Sequence, residues 1–381
     1  MLFATPDLRE PEHRVLQDIE SLRTRLRWQL HEPRRWYGSL RRISMARHIQ
    51  GSNSIEGYDA PLDDAAAIDL GEEPLDASQE TRLALEGYRD AMTYVLQLAG
   101  EPDFSYSEQL IKSLHFMMTS YDLKKRPGLW RAGPVFVYNE EEERVVHEGA
   151  NVEDVSKLMA ELVSQLQQAD EAPAMIRAGM AHLNLVMIHP FRDGNGRMAR
   201  CLQTLVLARE GILAPIFSSI EEYLGRNTQA YYDVLAAVGG GRWNPENDAR
   251  PWVRFTLTAH LRQARTMVQR AQESELLWAD LERVAKDRRL QERTIPALFD
   301  AALGFRIRNA TYRAILDDEI TDATAGRDLR QMVAAEVLEP RGEKRGRYYV
   351  ATGFLTALRQ RITDSRDPRD NADPFAGQSS R

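Results

Sequence analysis

A twelve-residue segment, HPFRDGNGRMAR at positions 189–200, concentrates residue types that bind phosphate and move protons. The imidazole of His189 titrates near neutral pH, as a general base does. Glycines let the backbone come close to a ligand, and guanidinium groups bind phosphate oxygens through paired hydrogen bonds. The segment therefore predicts a loop that holds a polyphosphate beside a histidine base.

The segment lies between two apolar helical runs, which predicts a tight loop joining two helices. Pro190 disfavours helical geometry at His189 and should end the first helix there. Arg197 and Arg200 are three residues apart on the first turn of the second helix, whose free N–H groups favour an anion. Asp193 supplies the one carboxylate that Mg²⁺ often takes from a protein when phosphate oxygens complete its coordination.

Sequence context excludes two other glycine-rich loops. A dinucleotide-binding loop also contains Gly-x-Gly, but it requires a preceding strand, and here a helix precedes it. The chain has no G-x-x-x-x-G-K-[ST] sequence, so it lacks a P-loop. A lone histidine beside a helix is more often structural, and catalysis is favoured here because the other polar residues of the segment accompany it.

The segment resembles the Fic family motif, H-x-F-x-[DE]-G-N-G-R-x-x-R, at every fixed position. The resemblance in layout extends over about residues 40–260. It implies a protein adenylyltransferase that uses ATP and Mg²⁺ to move AMP onto a Ser, Thr or Tyr hydroxyl of a target protein. The implied roles are a general base for His189, a core anchor for Phe191, a Mg²⁺ ligand for Asp193, phosphate binding for Gly194, Asn195 and Gly196, and contacts with the β and γ phosphates for Arg197 and Arg200.

Upstream, residues 52–57, SNSIEG, are similar to the family's inhibitory motif [ST]-x-x-x-E-[GN]. A carboxylate on the last turn of a helix faces the negative end of the helix dipole, which costs about 0.3 to 1 kcal/mol unless a cation compensates. Arg200 is the expected cation. The resemblance implies autoinhibition, in which Glu56, with Ser52 as the other fixed residue of the motif, takes the place of the γ-phosphate. An exposed helix-end glutamate is the structural alternative.

Residues 134–147 contain two β-rich runs around an acidic tip and predict a β-hairpin. This hairpin resembles the Fic flap, which holds an extended target segment by strand addition. A plain structural hairpin is the alternative. Family members often carry prolines just after the flap, whereas this chain has HEGA at 147–150. The sequence therefore does not predict the shape of the flap on the side that follows its second strand. The flap residues are Val135, Phe136, Val137 and Tyr138.

Tyr231 and Tyr232 resemble the tyrosine pair that lines the family's adenine pocket. Aromatic faces stack on bases, but tyrosines on a helix equally often pack in a core. The resemblance therefore predicts nucleotide contacts at these two positions, with core packing as the alternative.

The composition is that of an ordinary globular protein, with 381 residues, 43% hydrophobic content and a net charge of −7. Because there is no global basic field, any contact with nucleic acid has to be regional. No run reaches the ~20 apolar residues of a membrane span, and the N-terminal residues lack the features of a signal peptide. Cys201, the single cysteine, lies in an apolar helical pattern and is expected to pack in the core. The expected location is the cytoplasm, with no membrane partner.

The elements that position these residues are predicted to be mainly α-helical: a helical Fic core with a small β-hairpin flap, followed by a C-terminal winged-helix-like domain. The expected divisions are an N-terminal helical region at 1–105, the catalytic core at 106–260, a linking helix at 261–290, the winged-helix-like domain at 291–358 and a disordered tail at 362–381.

Residues 291–350 predict three helices and then a hairpin with a basic tip. That order is typical of winged helices, which bind DNA or dock proteins. One alternative function is therefore a DNA-binding regulator whose Fic core senses nucleotide. Another is a bifunctional enzyme that also removes AMP, with Glu56 orienting a water. Self-modification and a homodimer are left open.

Overall fold

In a computed structural model of the chain, the described residues are 1–31, 34–139, 143–168, 172–211, 215–343, 346–366, 368 and 370–376. Over these ranges the protein is mainly α-helical, as predicted, with two small antiparallel sheets. The helices are α1 Glu10–His31, α2 Tyr37–Ser54, α3 Leu62–Asp69, α4 Gln79–Leu98, α5 Glu108–Thr119, α6 Val155–Gln167, α7 Ala174–Ile188, α8 Asn195–Arg209, α9 Pro215–Ser218, α10 Glu221–Arg226, α11 Thr228–Gly239, α12 Arg250–Asp287, α13 Ile295–Ala302, α14 Asn309–Ile315, α15 Asp322–Ala334 and α16 Gly353–Asp364. The strands are β1 Phe136–Asn139, β2 Arg144–Glu148, β3 Leu338–Arg341 and β4 Tyr348–Ala351.

Helices α7 and α8 pack against each other at the centre of the molecule. Nearly every residue of α7 is buried, as expected for a helix that is apolar on all sides. The long helix α12 crosses α7, where Nε1 of Trp252 donates a hydrogen bond of 2.7 Å to the carbonyl of Gly179. Cys201 is buried in α8 as a free thiol, in agreement with the predicted packing role.

The N-terminal region is part of the same core. Helix α1 runs along α12, and Glu12 accepts a hydrogen bond of 2.6 Å from Nε of Arg254. Helix α2 is buried along most of its length between α3, α4 and α10. The backbones of α2 and α10 come so close at Gly51 that a Cβ there would lie 2.6 Å from the carbonyl oxygen of Glu221, the residue that begins α10. Helix α2 is therefore fixed to the catalytic core by backbone packing.

The C-terminal elements follow the predicted order of three helices and a hairpin. Strands β3 and β4 pair antiparallel, and Ile307 adds an isolated bridge to Tyr349. Residues 344 and 345 of the predicted basic tip lie outside the described residues. Arg306 binds Asp64 at 2.8 Å and also pairs with Asp63, which attaches this module to α3.

The predicted disordered tail begins at residue 362, whereas the structure continues α16 to Asp364. Further on, Phe375 is buried, and the guanidinium of Arg254 lies 5.1 Å from the centre of its ring. The structure thus buries one aromatic side chain of a segment whose composition is otherwise polar. Residues 367, 369 and 377–381 of the predicted tail lie outside the described residues. Across the part of the chain that the structure describes, no helix has both the length and the apolarity to cross a membrane.

Candidate active site

The loop after α7 begins at His189, which adopts a left-handed conformation with φ 54° and ψ 59°. The helix ends where Pro190 was expected to end it. Nδ1 of His189 lies 3.0 Å from the carbonyl oxygen of Val186, which can only accept, so Nδ1 carries the proton and Nε2 is left as an acceptor. Burial lowers the pKa of His189 to about 4. The imidazole is therefore neutral at neutral pH.

Arg131 holds this strained turn in place and was not identified from the sequence. Its backbone N–H donates to the carbonyl of Pro190 at 2.9 Å, and its Nε donates to the carbonyl of His189 at 2.8 Å. The other guanidinium nitrogens donate to the carbonyls of Gly133 and Ala150, on either side of the hairpin. Arg131 belongs to no local motif, so only its tertiary position shows this role.

Phe191 anchors the loop from inside the core, where it is fully buried. Its ring stacks on that of His115, with centroids 3.6 Å apart and planes 3° from parallel. Nε2 of His115 lies 2.9 Å from the carbonyl of Asp193, while Nδ1 accepts from the N–H of Gly128 at 2.9 Å. The amide of Asn195 bonds both backbone groups of Phe191, at 2.8 and 2.9 Å. Thus the Asn195 side chain, expected at a phosphate, shapes the loop backbone.

Gly194 has φ 76° and stands immediately before α8, so the first turn of α8 follows the loop as predicted. At Gly196 an added side chain would collide with Oε1 of Glu56. The Glu56 carboxylate therefore lies against the N-terminus of α8, where a helix favours negative charge.

Arg200 brings the inhibitory motif and the catalytic loop together. Its Nη2 lies 2.8 Å from Oε1 of Glu56, and its Nε donates to the hydroxyl of Ser52 at 2.8 Å. The Ser52 carbonyl accepts a further bond of 2.7 Å from Nη2. The ion pair expected between Glu56 and Arg200 is observed, and its cation is buried.

Arg197 is 0% exposed, and its three guanidinium nitrogens have no hydrogen-bond partner among the described residues. The ring of Tyr58 lies 5.1 Å from its guanidinium carbon. A buried charge is costly when no opposite charge or acceptor satisfies it. The side chain therefore fits an anionic ligand, as expected for a group that contacts phosphate.

Asp193 is held by Lys125, a residue that the sequence did not single out. Nζ of Lys125 lies 3.0 Å from Oδ2 of Asp193, and it also donates to the hydroxyls of Tyr58 and Tyr121 at 2.6 and 3.0 Å. Burial alone would raise the pKa of Asp193, but the bond and charge of Lys125 bring it below its usual value. In the described ranges, no three His, Cys, Asp or Glu side chains are grouped to hold a metal. A single ionised carboxylate fits Mg²⁺ that is bound mainly through phosphate and water.

Tyr231 and Tyr232, the predicted adenine-binding tyrosines, do not act as a pair. Tyr231 is 1% exposed, and its hydroxyl lies 2.9 Å from Nε2 of His182, so it is a core residue with no face for a base. Tyr232 is 42% exposed, and its hydroxyl donates to the carbonyl of Ile55 at 2.8 Å. The prediction of nucleotide stacking thus does not fit Tyr231, because packing against α12 buries it, and Tyr232 contacts the inhibitory motif.

The predicted hairpin is present beside the catalytic loop, with a register shift between Val137 and Tyr138. Phe136 and Tyr138 are exposed, and Val135 just before β1 accepts a bond of 3.2 Å from the N–H of Gly149. A Cβ at Gly149 would lie 3.0 Å from Cβ of His189. Because Gly149 has no side chain, the base of the hairpin packs directly on His189.

The sequence matches the family model described as Fic/DOC family over residues 105–207. A protein named protein adenylyltransferase Fic from Nematostella vectensis is 28% identical over 224 residues, which cover 55% of this chain and 45% of that protein. The protein of the same name from Aedes aegypti is 29% identical over 223 residues, covering 55% of this chain and 39% of that protein. The chain thus spans less than half the length of these curated relatives.

Solved structures show the same fold. A Fic family protein from Desulfovibrio desulfuricans has a TM-score of 0.58 with 23% identity, covering 92% of this chain and 98% of that one. A Fic domain containing signaling protein from Bacteroides thetaiotaomicron has a TM-score of 0.54 with 20% identity, covering 67% of this chain and 97% of that one.

Proposed function

We propose that the protein transfers AMP from ATP to a hydroxyl group of a target protein, on the basis that its residues 105–207 match the Fic/DOC family. The observation that carries the proposal is that one loop and the helix turn after it bring together a neutral imidazole, His189, and the buried guanidinium of Arg197, which has no hydrogen-bond partner among the described residues. The names of the curated relatives, protein adenylyltransferase, support the same activity.

His189 acts as the general base. Its free Nε2 takes the proton of the target hydroxyl, and the oxygen then forms a bond to the α-phosphorus of ATP as the bond to pyrophosphate breaks. Because the pKa of His189 is lowered to about 4, the imidazole is in the accepting form at neutral pH. The bond from Nδ1 to Val186 fixes the tautomer in which Nε2 accepts.

Positive groups stabilise the charge that develops on the departing pyrophosphate. Arg197 is proposed to contact the β-phosphate and Arg200 the γ-phosphate, with the backbone of Gly194 and Gly196 close to the phosphate chain. Mg²⁺, held by Asp193 together with phosphate oxygens, would neutralise further phosphate charge.

Glu56 is proposed to inhibit this reaction in the resting protein. The carboxylate occupies both the Nη2 donor of Arg200 and the N-terminus of α8 next to Gly196. A γ-phosphate needs the same positive groups and carries the same sign of charge, so productive binding of ATP requires Glu56 to leave. Ser52 supports the inhibited state by orienting Arg200 from a second side.

The hairpin is proposed to dock an extended segment of the target protein. Strand β2 pairs with β1 and, at Glu148, with an isolated bridge to Arg242, so β1 carries the outer edge among the described strands. Main-chain pairing along that edge, with Phe136 and Tyr138 exposed beside it, would bring a Ser, Thr or Tyr hydroxyl towards His189.

Mass spectrometry of lysate proteins after incubation with ATP, Mg²⁺ and the Glu56→Gly protein tests this function. We expect AMP on hydroxyl side chains of one or a few proteins, and none when the added protein also carries His189→Ala. If the Glu56→Gly protein binds ATP and is folded, yet no protein gains AMP, the proposed transfer is wrong.

A second candidate, a DNA-binding regulator that senses nucleotide, rests on the surface of the C-terminal module. Helix α15 exposes Arg327 and Arg330, and the hairpin exposes Arg341 and Arg347. Fluorescence polarisation with duplex DNA tests it. Specific binding that weakens with salt and is lost on Arg327→Glu with Arg330→Glu would favour this candidate.

A further inference from the structure

Five arginine side chains line a cavity on the side of α2 that faces the C-terminal module. The cavity has a volume of about 200 Å³ and lies between α2, α10, α12 and α16. Each of these four helices contributes one arginine, and the fifth arginine follows the end of α16. The arginines are Arg47, Arg226, Arg270, Arg359 and Arg366.

Two carboxylates face these five guanidinium groups. Glu222 accepts from both Nη atoms of Arg270 at 2.6 Å, from Arg226 at 2.7 Å and from Arg47 at 3.3 Å. The other carboxylate, Glu273, is bound through both oxygens by Arg366, at 2.5 and 2.6 Å. Counted over the described part of the chain, these five positive charges and two negative charges leave an excess of three. The net charge of the whole chain is −7, so this local excess is opposite in sign to the overall charge.

The positive charges of Arg47 and Arg359 are compensated least completely. Nε of Arg47 is buried without a partner among the described residues. Burial and repulsion from Arg270 lower the pKa of Arg47 to about 10. Arg359 donates to a backbone carbonyl, that of Leu303, at 3.3 Å. Grouping cations in this way is unfavourable unless an anion neutralises them.

The shape of the cavity is also that of a binding site. Its floor is apolar, formed by Leu40, Leu277 and Phe299, which are all buried. The cavity adjoins a larger groove of about 660 Å³ that has Arg226 and Arg366 in its own wall. Together the two spaces are within the size range of ligand pockets, about 300 to 1,000 Å³.

We propose that this cavity binds a phosphate-rich small anion, either inorganic polyphosphate or the phosphate chain of a nucleotide, at a site separate from the catalytic loop. Guanidinium groups match phosphate oxygens with paired bonds, and an excess of three positive charges suits a chain of two or three phosphates. Arg47 lies on α2, the helix that also carries Ser52, so the ligand would contact the helix of the inhibitory motif.

Calorimetric titration with inorganic tripolyphosphate tests the site, and a parallel titration with ATP distinguishes the two sources of phosphate. All titrations use protein with Arg197→Ala, which removes a cation that is proposed to bind phosphate at the catalytic loop. In that background we expect one remaining tripolyphosphate site. Adding Arg226→Ala with Arg366→Ala should weaken it at least about tenfold. The matched control adds Arg14→Ala with Arg289→Ala, which removes two exposed arginines elsewhere and should leave the affinity unchanged.

Thermal unfolding in the absence of ligand shows whether each protein is folded. Should the double cavity variant fail to fold, Arg226→Ala alone serves, since that side chain is 50% exposed, and a severalfold loss of affinity is expected. Equal affinity in the cavity variant and its matched control would overturn the proposal. So would loss of all tripolyphosphate binding on Arg197→Ala alone.

Discussion

Oε1 of Glu56 lies 2.8 Å from Nη2 of Arg200, and Ser52 accepts two further hydrogen bonds from the same guanidinium. The guanidinium is buried, so water screens the pair poorly. An anion that needs the Nη2 donor of Arg200 has to displace this carboxylate, so the proposed autoinhibition depends on this contact.

Replacing Glu56 with glycine should raise labelling of a target protein, or of the protein itself, by at least about tenfold, the rate equivalent of 1.4 kcal/mol. The reason is that Arg200 and the N-terminus of α8 become free for the γ-phosphate. Transfer from labelled ATP measures the rate, and equal activity of wild type and variant would refute autoinhibition by Glu56.

The gain should depend on Arg200. In the double variant, Glu56→Gly with Arg200→Ala, stimulation should disappear because the released partner is the group that must bind phosphate. A general loosening of α2 would instead raise activity whatever residue stood at position 200, so this non-additivity identifies an ion-pair lock.

The His189→Ala protein should lose transfer while its ATP affinity stays within about threefold, since the imidazole moves a proton and the arginines bind phosphate. Labelled-ATP transfer and calorimetry separate the two effects. The matched control is His147→Ala, whose ring lies 6.3 Å from that of His189 and carries no proposed proton transfer. Substantial labelling by His189→Ala would remove His189 as the base.

The neighbouring tyrosines should respond differently to the same chemical change. Tyr232→Phe removes the bond to the carbonyl of Ile55 and should raise basal transfer about two- to fivefold, as expected for one hydrogen bond that supports the inhibitory turn. Tyr231→Phe removes the contact with His182 and should lower the free energy of unfolding by about 1 kcal/mol without raising transfer. Equal basal transfer in the two variants would contradict these roles.

Acid should destabilise the protein below about pH 6.5 through its buried histidines. Burial lowers the pKa of His115 and His189 to about 4, and that of His182 and His260 to about 3. The unfolded chain, with ordinary histidines near 6.5, therefore binds protons first, and stability falls as the pH drops from about 6.5 towards 3–4.

The melting temperature between pH 8 and 5 checks this effect. We expect a plateau above about pH 7 and a decline below about pH 6. The buried carboxylates Glu221 and Glu222, with pKa values lowered to about 2, contribute only below about pH 4.5. Burial raises the pKa of Asp69 to about 6, so this carboxyl opposes the decline below about pH 6 and offsets about one of the four histidines. A constant melting temperature from pH 7 to 5 would contradict the prediction.

Residues whose roles follow from neighbours in sequence could be predicted. The end of α7 at His189 follows from Pro190, and the helical turn that carries Arg197 and Arg200 follows from the loop that precedes it. Apolar periodicity is a local property too, and it predicted α7 and α8 and the three helices α13, α14 and α15.

Residues whose roles depend on tertiary packing could not be predicted. Lys125, Arg131 and His115 meet the catalytic loop from positions more than fifty residues away, and none belongs to a recognisable pattern. Tyr231 and Tyr232 are adjacent and chemically identical, so only the position of α12 decides which of them is buried.

Helix α2 is held on two sides, by the backbone contact of Gly51 with α10 and by the bond of Arg42 to Asp300 in α13 at 3.1 Å. It cannot swing away from the core without breaking both. Glu56, however, follows the end of the helix, and Gly57 beside it has φ 81°. The proposed release of the carboxylate therefore requires a local opening of one turn and no movement of the whole helix. Amide hydrogens at 55–58 should exchange with solvent well before those at 43–52, which would remain protected throughout the switch.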